Sequence, residues 1–250
     1  MNSRRFWARA GAILFALAAW QTAAAFVGQS ILLSGPVEVV KRMSGLVLEK
    51  GFWSTVAFSL ARIVAGFFTA FIAGILLAVL AGRFSLVETG LWPFVVTIKS
   101  VPVASFIIIS LVWLTSKQLS QFISFLMVFP VIYSNVLAGL KATDPKMLEM
   151  AKVFRLPFKR RFLFVQLPQI RPFLVSACSV ALGLSWKSGI AAEVIGIPTG
   201  SIGERLYMAK IYFDTADLFA WTLVIVLASQ LFEKLFLWGL KAAFARWEKR

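Results

Sequence analysis

The chain has no histidine and a single cysteine, Cys178. Without imidazole there is no Ser-His-Asp or Cys-His catalytic arrangement, no His-ligated haem and no zinc site of the usual kind. One thiol cannot close an internal disulfide or build a thiolate cluster. Acidic residues are also scarce, 11 Asp and Glu against 26 Lys and Arg, for a net charge of +15. Paired-carboxylate catalysis is therefore thinly supplied, and the sequence predicts no catalytic residue, no metal site and no cofactor.

What the chain does have is apolar length. Of its 250 residues 60% are hydrophobic, and the mean hydropathy is +0.84. Soluble domains are nearer half apolar, with about a quarter of their residues charged. The composition is that of a membrane protein, so the excess of cations is read as orientation in a bilayer and not as a nucleic-acid surface. Windows of about 20 apolar residues, enough to cross roughly 30 Å of hydrocarbon, fall at Ala10 to Val27, Ile63 to Ala81, Leu91 to Leu114, Gln121 to Leu140, Pro172 to Ile195 and Ala216 to Leu240. The expected fold is an all-α polytopic membrane protein with about six transmembrane helices. Pro93, Lys99 and Pro102 interrupt the third window, which predicts a surface-lying first half and a kink.

The cations decide the orientation. With a cytoplasmic N-terminus, the inner side collects Arg4, Arg5 and Arg9, Arg83 and Lys99, eight cations between Lys141 and Arg171, and Lys241, Arg246, Lys249 and Arg250. The outer side receives Lys41, Arg42, Lys50, Lys117, Arg205 and Lys210. The positive-inside bias places both termini in the cytoplasm. The first segment has an alternative reading as a cleaved signal peptide, with an A-x-A site at Ala23 to Ala25, although its apolar run is long for one. The expected organisation is an N-terminal transmembrane helix (1–28), a main transmembrane domain (52–240) containing a cytoplasmic loop (141–171), and a basic tail (241–250).

That loop is patterned. Asp144 suits an N-cap and Pro145 the first helical position, and Met147, Met150, Ala151 and Phe154 recur at i, i+3, i+4 and i+7. A break is expected around Leu156 and Pro157. A second short helix then shows Phe158, Phe162 and Val165 on one face and Lys159, Arg160 and Arg161 on the other, with Pro168 and Pro172 stopping it before the fifth span. Such a pair of helices either lies on anionic membrane lipid or docks a cytoplasmic partner.

Glu149-Met150-Ala151, Phe154, Leu167-Pro168 and Pro172 at this spacing resemble the EAA loop of bacterial ABC importer permeases, the binding-protein-dependent transport inner-membrane component family. Ser59 to Phe67, Ala142 to Phe154, Val165 to Trp186 and Ala191 to Gly196 extend the likeness toward the nitrate, sulfonate and taurine branch. The resemblance implies a multi-pass protein of the bacterial inner membrane that pairs with a second permease subunit, as a homodimer, two cytoplasmic ATP-binding subunits and an external solute-binding protein. It implies that the paired short helices enter a groove of the ATP-binding subunit, with Glu149, Ala151, Phe154, Arg155 and Pro157 at the contact. The solute would be small and anionic, of sulfonate, taurine or nitrate type. Two positions depart from the family pattern: Met150 replaces the second alanine, and Arg155 stands where glycine would allow a left-handed turn.

Inside the spans, Gly66, Ala70, Gly74 and Ala78 form a small-residue stripe, which predicts close helix packing within the chain. Ala177, Ala181, Ser185 and Gly189 continue to Glu193 at the same spacing. Ser185, Gly189 and Glu193, with Lys187, are candidates for a translocation pathway; the alternative is a packing seam. Lys187 attracts an anionic solute or pairs with Glu193. Arg62 is read as an interfacial anchor. Ser201 and Glu204 form a capping box for a helix at the outer surface. Gly183 to Ser188 superficially matches a phosphate-binding loop, but Trp186 occupies the glycine position and a spanning helix has no free backbone N–H groups. Two rival classes stand beside the permease. One is a membrane scaffold that docks a protein without transport. The other is an intramembrane Ser-Lys hydrolase, disfavoured because Ser185 and Ser188 do not face Lys187 along a helix.

Overall fold

The computed structural model describes residues 3–29 and 31–248. Arg4, Arg5 and Arg9 have undescribed side chains, and Lys249 and Arg250 lie outside the described residues; of the basic tail, Lys241 and Arg246 are exposed on the last helix. The described chain is helical, without strands: α1 Ser3–Val27, α2 Pro36–Leu46, α3 Phe52–Arg83, α4 Ser85–Ser100, α5 Val103–Ser110, α6 Ser116–Lys141, α7 Pro145–Val153, α8 Phe158–Arg161, α9 Leu167–Gly196, α10 Ile202–Ile211 and α11 Thr215–Glu248. Helices α1, α3, α6, α9 and α11 are each long and apolar enough to cross a membrane. Helices α4 and α5 pass the same test only together, bent by 105°.

The bend lies where the prolines placed it. Val101 is extended, as residues before proline tend to be, and Pro102 caps the shorter helix α5. Pro93, by contrast, stays inside α4 without breaking it. Helix α2 has no counterpart in the sequence reading, because 11 residues with only Val39 and Leu46 buried give no spanning window. Its N-terminus begins on Pro36, and Arg42 joins it to α11 through Asp217 at 2.6 Å. Helix α3 runs 11 residues farther toward its N-terminus than the apolar window suggested. At 32 residues it is about 48 Å long, more than the hydrocarbon thickness.

Helix α6 is the centre, with α3 on one flank and α9 on the other. Gly66, Ala70, Gly74 and Ala78 are all buried on its α3 side. A Cβ on Gly66 would collide with the Gln121 carbonyl oxygen, and one on Gly74 would lie 3.0 Å from Ile132. On the α9 side, a Cβ on Gly189 would come within 2.6 Å of Ser124 Oγ, and Ser124 donates to the Ser185 carbonyl at 3.0 Å. The packing seam expected of the α3 stripe is therefore internal to the chain. Where no water drives apolar surfaces together, such close approach supplies the attraction. Helix α1 touches this body where Trp20 packs on Phe219, and most of its other described side chains are exposed.

One expectation fails at the start of the fifth span. Pro168 and Pro172 do not stop the preceding helix: α8 passes through a π-helical turn, Phe162–Gln166, straight into α9. Leu167 donates across five residues to the Phe162 carbonyl, so the turn is wider than an α-turn and gives the Pro168 ring room. Gln169 adds a side-chain bond at this junction, its Nε2 donating to the Val165 carbonyl at 3.3 Å. The second short helix is thus four residues long, and of its expected apolar face Val165 is buried, on the π-helical turn that follows.

Gly66→Val places a branched side chain where even a Cβ has no room. It is expected to destabilise the chain by roughly 1–3 kcal/mol, read as a lower unfolding midpoint in detergent, whereas Gly90→Ala, in helix α4 at a site open to 4 Å, does not lower the midpoint and raises it by helix propensity if it moves it at all.

Candidate functional site

Residues 142–166 project from the end of the bundle at which α3 and α6 terminate, called here the basic end. Helix α7 starts as its sequence demands, with Asp144 Oδ1 accepting from Lys146 N at 2.9 Å and Pro145 in the first turn. Gln169 Oε1 accepts from Asp144 N at 2.9 Å, which ties the start of α7 to the first turn of α9. Of the apolar face read from sequence only Ala151 is buried, 1% exposed, in the chain's own interior. Met147, Met150 and Phe154 are exposed, joined by Val153, and Phe154 reaches 72%. Ala151 is thus a foot on which α7 stands, while Glu149 and Phe154 are on view. Pro157 is exposed and caps α8.

Arg155 resolves the missing glycine. Its φ is +49°, the left-handed region that glycine would have occupied without strain. Arg155 N donates to the Lys152 carbonyl and Leu156 N to the Ala151 carbonyl, both at 2.9 Å. This is the Schellman pattern, and it satisfies two of the helix's terminal carbonyls. The turn is kept despite the substitution, with about 1 kcal/mol of backbone strain.

In the spans, the four pathway candidates separate. Ser185 and Glu193 are fully buried, Gly189 is buried against Ser124 and Ile63, and Lys187 is exposed on the opposite side of α9. Within this chain, Ser185, Gly189 and Glu193 are packed between helices. Lys187 forms no ion pair with Glu193, whose Oε2 instead accepts from Ser59 Oγ at 2.7 Å and Gly203 N at 3.3 Å. Ser59 Oγ in turn accepts from Ile202 N at 2.9 Å. The carboxylate thereby joins α3, α9 and the first turn of α10, where backbone N–H groups are otherwise unpaired. Gly203 allows this approach, since a Cβ there would clash with Glu193. Ser201 caps α10 as expected, accepting from Glu204 N at 3.0 Å, but the Glu204 carboxylate reaches back to Gly200 N instead of Ser201 N. Arg62 is a brace between helices, its Nε donating to the Lys117 carbonyl at 2.6 Å, and so more than the interfacial anchor read from sequence.

A polar recess between α3 and α6 was not singled out from sequence. Thr69, Gln118 and Gln121 line it together with Leu114, Phe122 and Phe125, enclosing about 280 Å3. Thr115 Oγ donates to Gln118 Oε1 at 3.1 Å, which leaves the Gln118 amide N–H groups free to donate. Polar side chains in spans generally face water or protein and not lipid. Two glutamines three residues apart, within or beside a span, were the signal that could have found it. No cluster of three or more metal-ligating Cys, Asp or Glu side chains forms among the described residues.

Comparison with known proteins adds the context. Residues 70–246 match the profile of the "binding-protein-dependent transport system inner membrane component" family. The chain is 24% identical over 218 residues to the putative aliphatic sulfonates transport permease protein SsuC of Bacillus subtilis, covering 86% of this chain and 78% of that one. It is 28% identical over 187 residues to the nitrate import permease protein NrtB of Leptolyngbya laminosa, covering 71% and 66% respectively. Among solved structures, an amino acid ABC transporter crystallised with histidines shares the fold, with a TM-score of 0.58 at 16% identity over 78% of this chain and 93% of that one.

Arg155→Gly is expected to remove the left-handed strain and stabilise the loop by about 0.5–1 kcal/mol, after allowance for the greater freedom of an unfolded glycine. Arg155→Val, β-branched at the same φ, is expected to weaken it by about as much or more. Hydrogen exchange of the Leu156 amide reads both changes: slower exchange in the first variant, faster in the second.

Proposed function

The chain belongs to the binding-protein-dependent transport system inner membrane component family, and from that premise we propose that it is the permease subunit of an ABC importer for a small oxyanion. Residues 52–240 form the permease domain, with the 1–28 helix appended. It pairs with a second permease subunit, most simply a copy of itself, and takes solute from an external binding protein. Two cytoplasmic ATP-binding subunits hydrolyse ATP; this chain does not. The basic end faces the cytoplasm of a bacterial inner membrane, as the positive-inside rule requires.

The observation that carries this reading is the unpaired apolar face of α7. Met147, Met150, Val153 and Phe154 are exposed beside Glu149 on a basic loop, while Ala151 holds the helix to the body. A helix-in-groove contact needs such an arrangement. In this reading Glu149, Phe154, Arg155 and Pro157 meet the ATP-binding subunit, and Ala151 holds the helix that carries them to the body. The Asp144 to Gln169 hydrogen bond then gives movement of α7 a direct route into a spanning helix.

For the solute, the recess of Thr69, Gln118 and Gln121 supports a pathway along the open face of α6. Amide N–H groups suit a weakly hydrated oxyanion, because they donate without trapping it by full charge. The sulfonate and nitrate relatives named above support that solute class. Lys187, exposed in α9, is the cation of the four original candidates that remains available to an anion.

Glu149→Arg is expected to weaken co-purification with the cognate ATP-binding subunits by at least about tenfold while membrane insertion is kept, and an undiminished complex would move the docking site elsewhere. Gln121→Leu is expected to lower uptake of radiolabelled nitrate or sulfonate by about tenfold, with complex formation intact. Intact docking in a protein that moves no solute would favour the scaffold reading.

A further inference from the structure

A second, smaller recess lies at the basic end, where the last turn of α3 meets the start of α8. Gly82, Arg83, Leu140, Phe158, Arg161 and Gln166 line it; its closed part is only about 30 Å3, against about 280 Å3 for the first recess, so a ligand group would sit largely in its open mouth. Arg83 and Arg161 come from opposite sides of the joint, one ending a spanning helix and the other ending the four-residue α8. Both guanidinium groups lie over the Phe158 ring, their Cζ atoms 4.9 and 5.7 Å from its centroid.

Two like charges around one ring call for an anion, and the described residues supply none. Among the described residues no ion pair involves either arginine; Glu88, at the same end, is held by Lys141 at 2.6 Å. Arg161 Nε is buried without a hydrogen-bond partner, the most costly kind of donor to leave unmet. The recess also ends on the π-helical turn, whose last residue is Gln166. Such turns occur frequently at functional sites.

We propose that this recess is an oxyanion site that takes one phosphate-like group, held by the Arg161 and Arg83 guanidinium groups with the Gln166 amide as a further donor. A planar guanidinium matches two oxygens of such a group at once, and a second cation completes its neutralisation. The occupied site ties the end of α3 to α8, so the loop that carries α7 is fixed to a spanning helix by the anion as well as by its own chain. The group is either the phosphate of an anionic phospholipid in the adjoining leaflet or a free inorganic anion. This site is separate from the recess of Thr69, Gln118 and Gln121 and does not depend on which solute is carried.

The test uses the full chain. In one arm, delipidated protein in detergent is titrated with inorganic phosphate at constant ionic strength and followed calorimetrically. In the other, protein from phosphatidylglycerol nanodiscs is examined by native mass spectrometry for a retained lipid, with phosphatidylcholine nanodiscs as reference. Saturable phosphate binding that weakens about tenfold in Arg161→Gln and in Arg83→Gln, but not in Arg160→Gln, supports the site with a free anion. A phosphatidylglycerol molecule kept by the wild type and by Arg160→Gln but lost from both recess variants supports it with a lipid headgroup. Absence of both signals overturns the proposal, as does equal weakening by Arg160→Gln, which would mark general attraction to a basic loop. If Arg161→Gln fails to fold, Arg83→Gln and Arg161→Lys carry the same comparison.

Discussion

Helix α6 is held on both flanks at distances that only small residues permit, and the rest of the molecule depends on that contact. Gly66 sits against the Gln121 carbonyl and Gly189 against Ser124, so α3 and α9 approach the same stretch of α6 from two sides. Apolar side chains gain little from one another in a membrane, where lipid is as good a neighbour. Backbone-to-backbone proximity has no such substitute. The seams therefore make a rigid three-helix centre, and the broken pair α4–α5, α11 and α1 are arranged around it with fewer constraints.

At the end away from the basic loop a different interaction takes over. Glu193 is fully buried, yet its Oε2 is held by Ser59 and the first turn of α10 instead of being matched with a cation, while Oε1 has no hydrogen-bond partner. A carboxylate at a helix N-terminus meets several partial positive charges, and Gly203 lets it approach. The same group thus fixes a surface helix to two spanning helices. A lysine in this role would have brought a second charge to desolvate.

The spans, the bend after Ser100, the α3 stripe and the start of α7 were legible because each follows from a local rule: apolar length, a proline, a four-residue repeat, a cap. Helix α2 was not, being too short to register as a span. The π-helical turn was not, because prolines at 168 and 172 signal termination unless the preceding turn widens. The row from Ala177 to Glu193 was legible as a stripe, but which neighbour it faced was not, since Ser59 and Gly203 reach Glu193 from 134 and 10 residues away. Gln118 and Gln121 were visible as residues and silent as a recess, because the opposing Thr69 belongs to another helix. Arg155 shows a different limit: the sequence named the missing glycine, and the hydrogen bonds around it hold the left-handed turn nonetheless.

These features bear together on how a loop can act on a membrane-embedded bundle. A flexible connection would absorb a push on α7, since each loose residue adds conformational freedom. Here the freedom is removed at both ends. Asp144 is bonded to Gln169, Ala151 is planted in the body, and α8 continues without interruption into α9 through the π-helical turn. Helix α9 shares its seam with α6, and α6 shares its other seam with α3. In the proposed reading, a displacement of α7 by an ATP-binding subunit therefore reaches all three central helices through stiff contacts, and the Thr69, Gln118 and Gln121 recess lies between two of them. Close packing is what makes such transmission physically reasonable, because small-residue seams slide or separate as units and do not deform gradually.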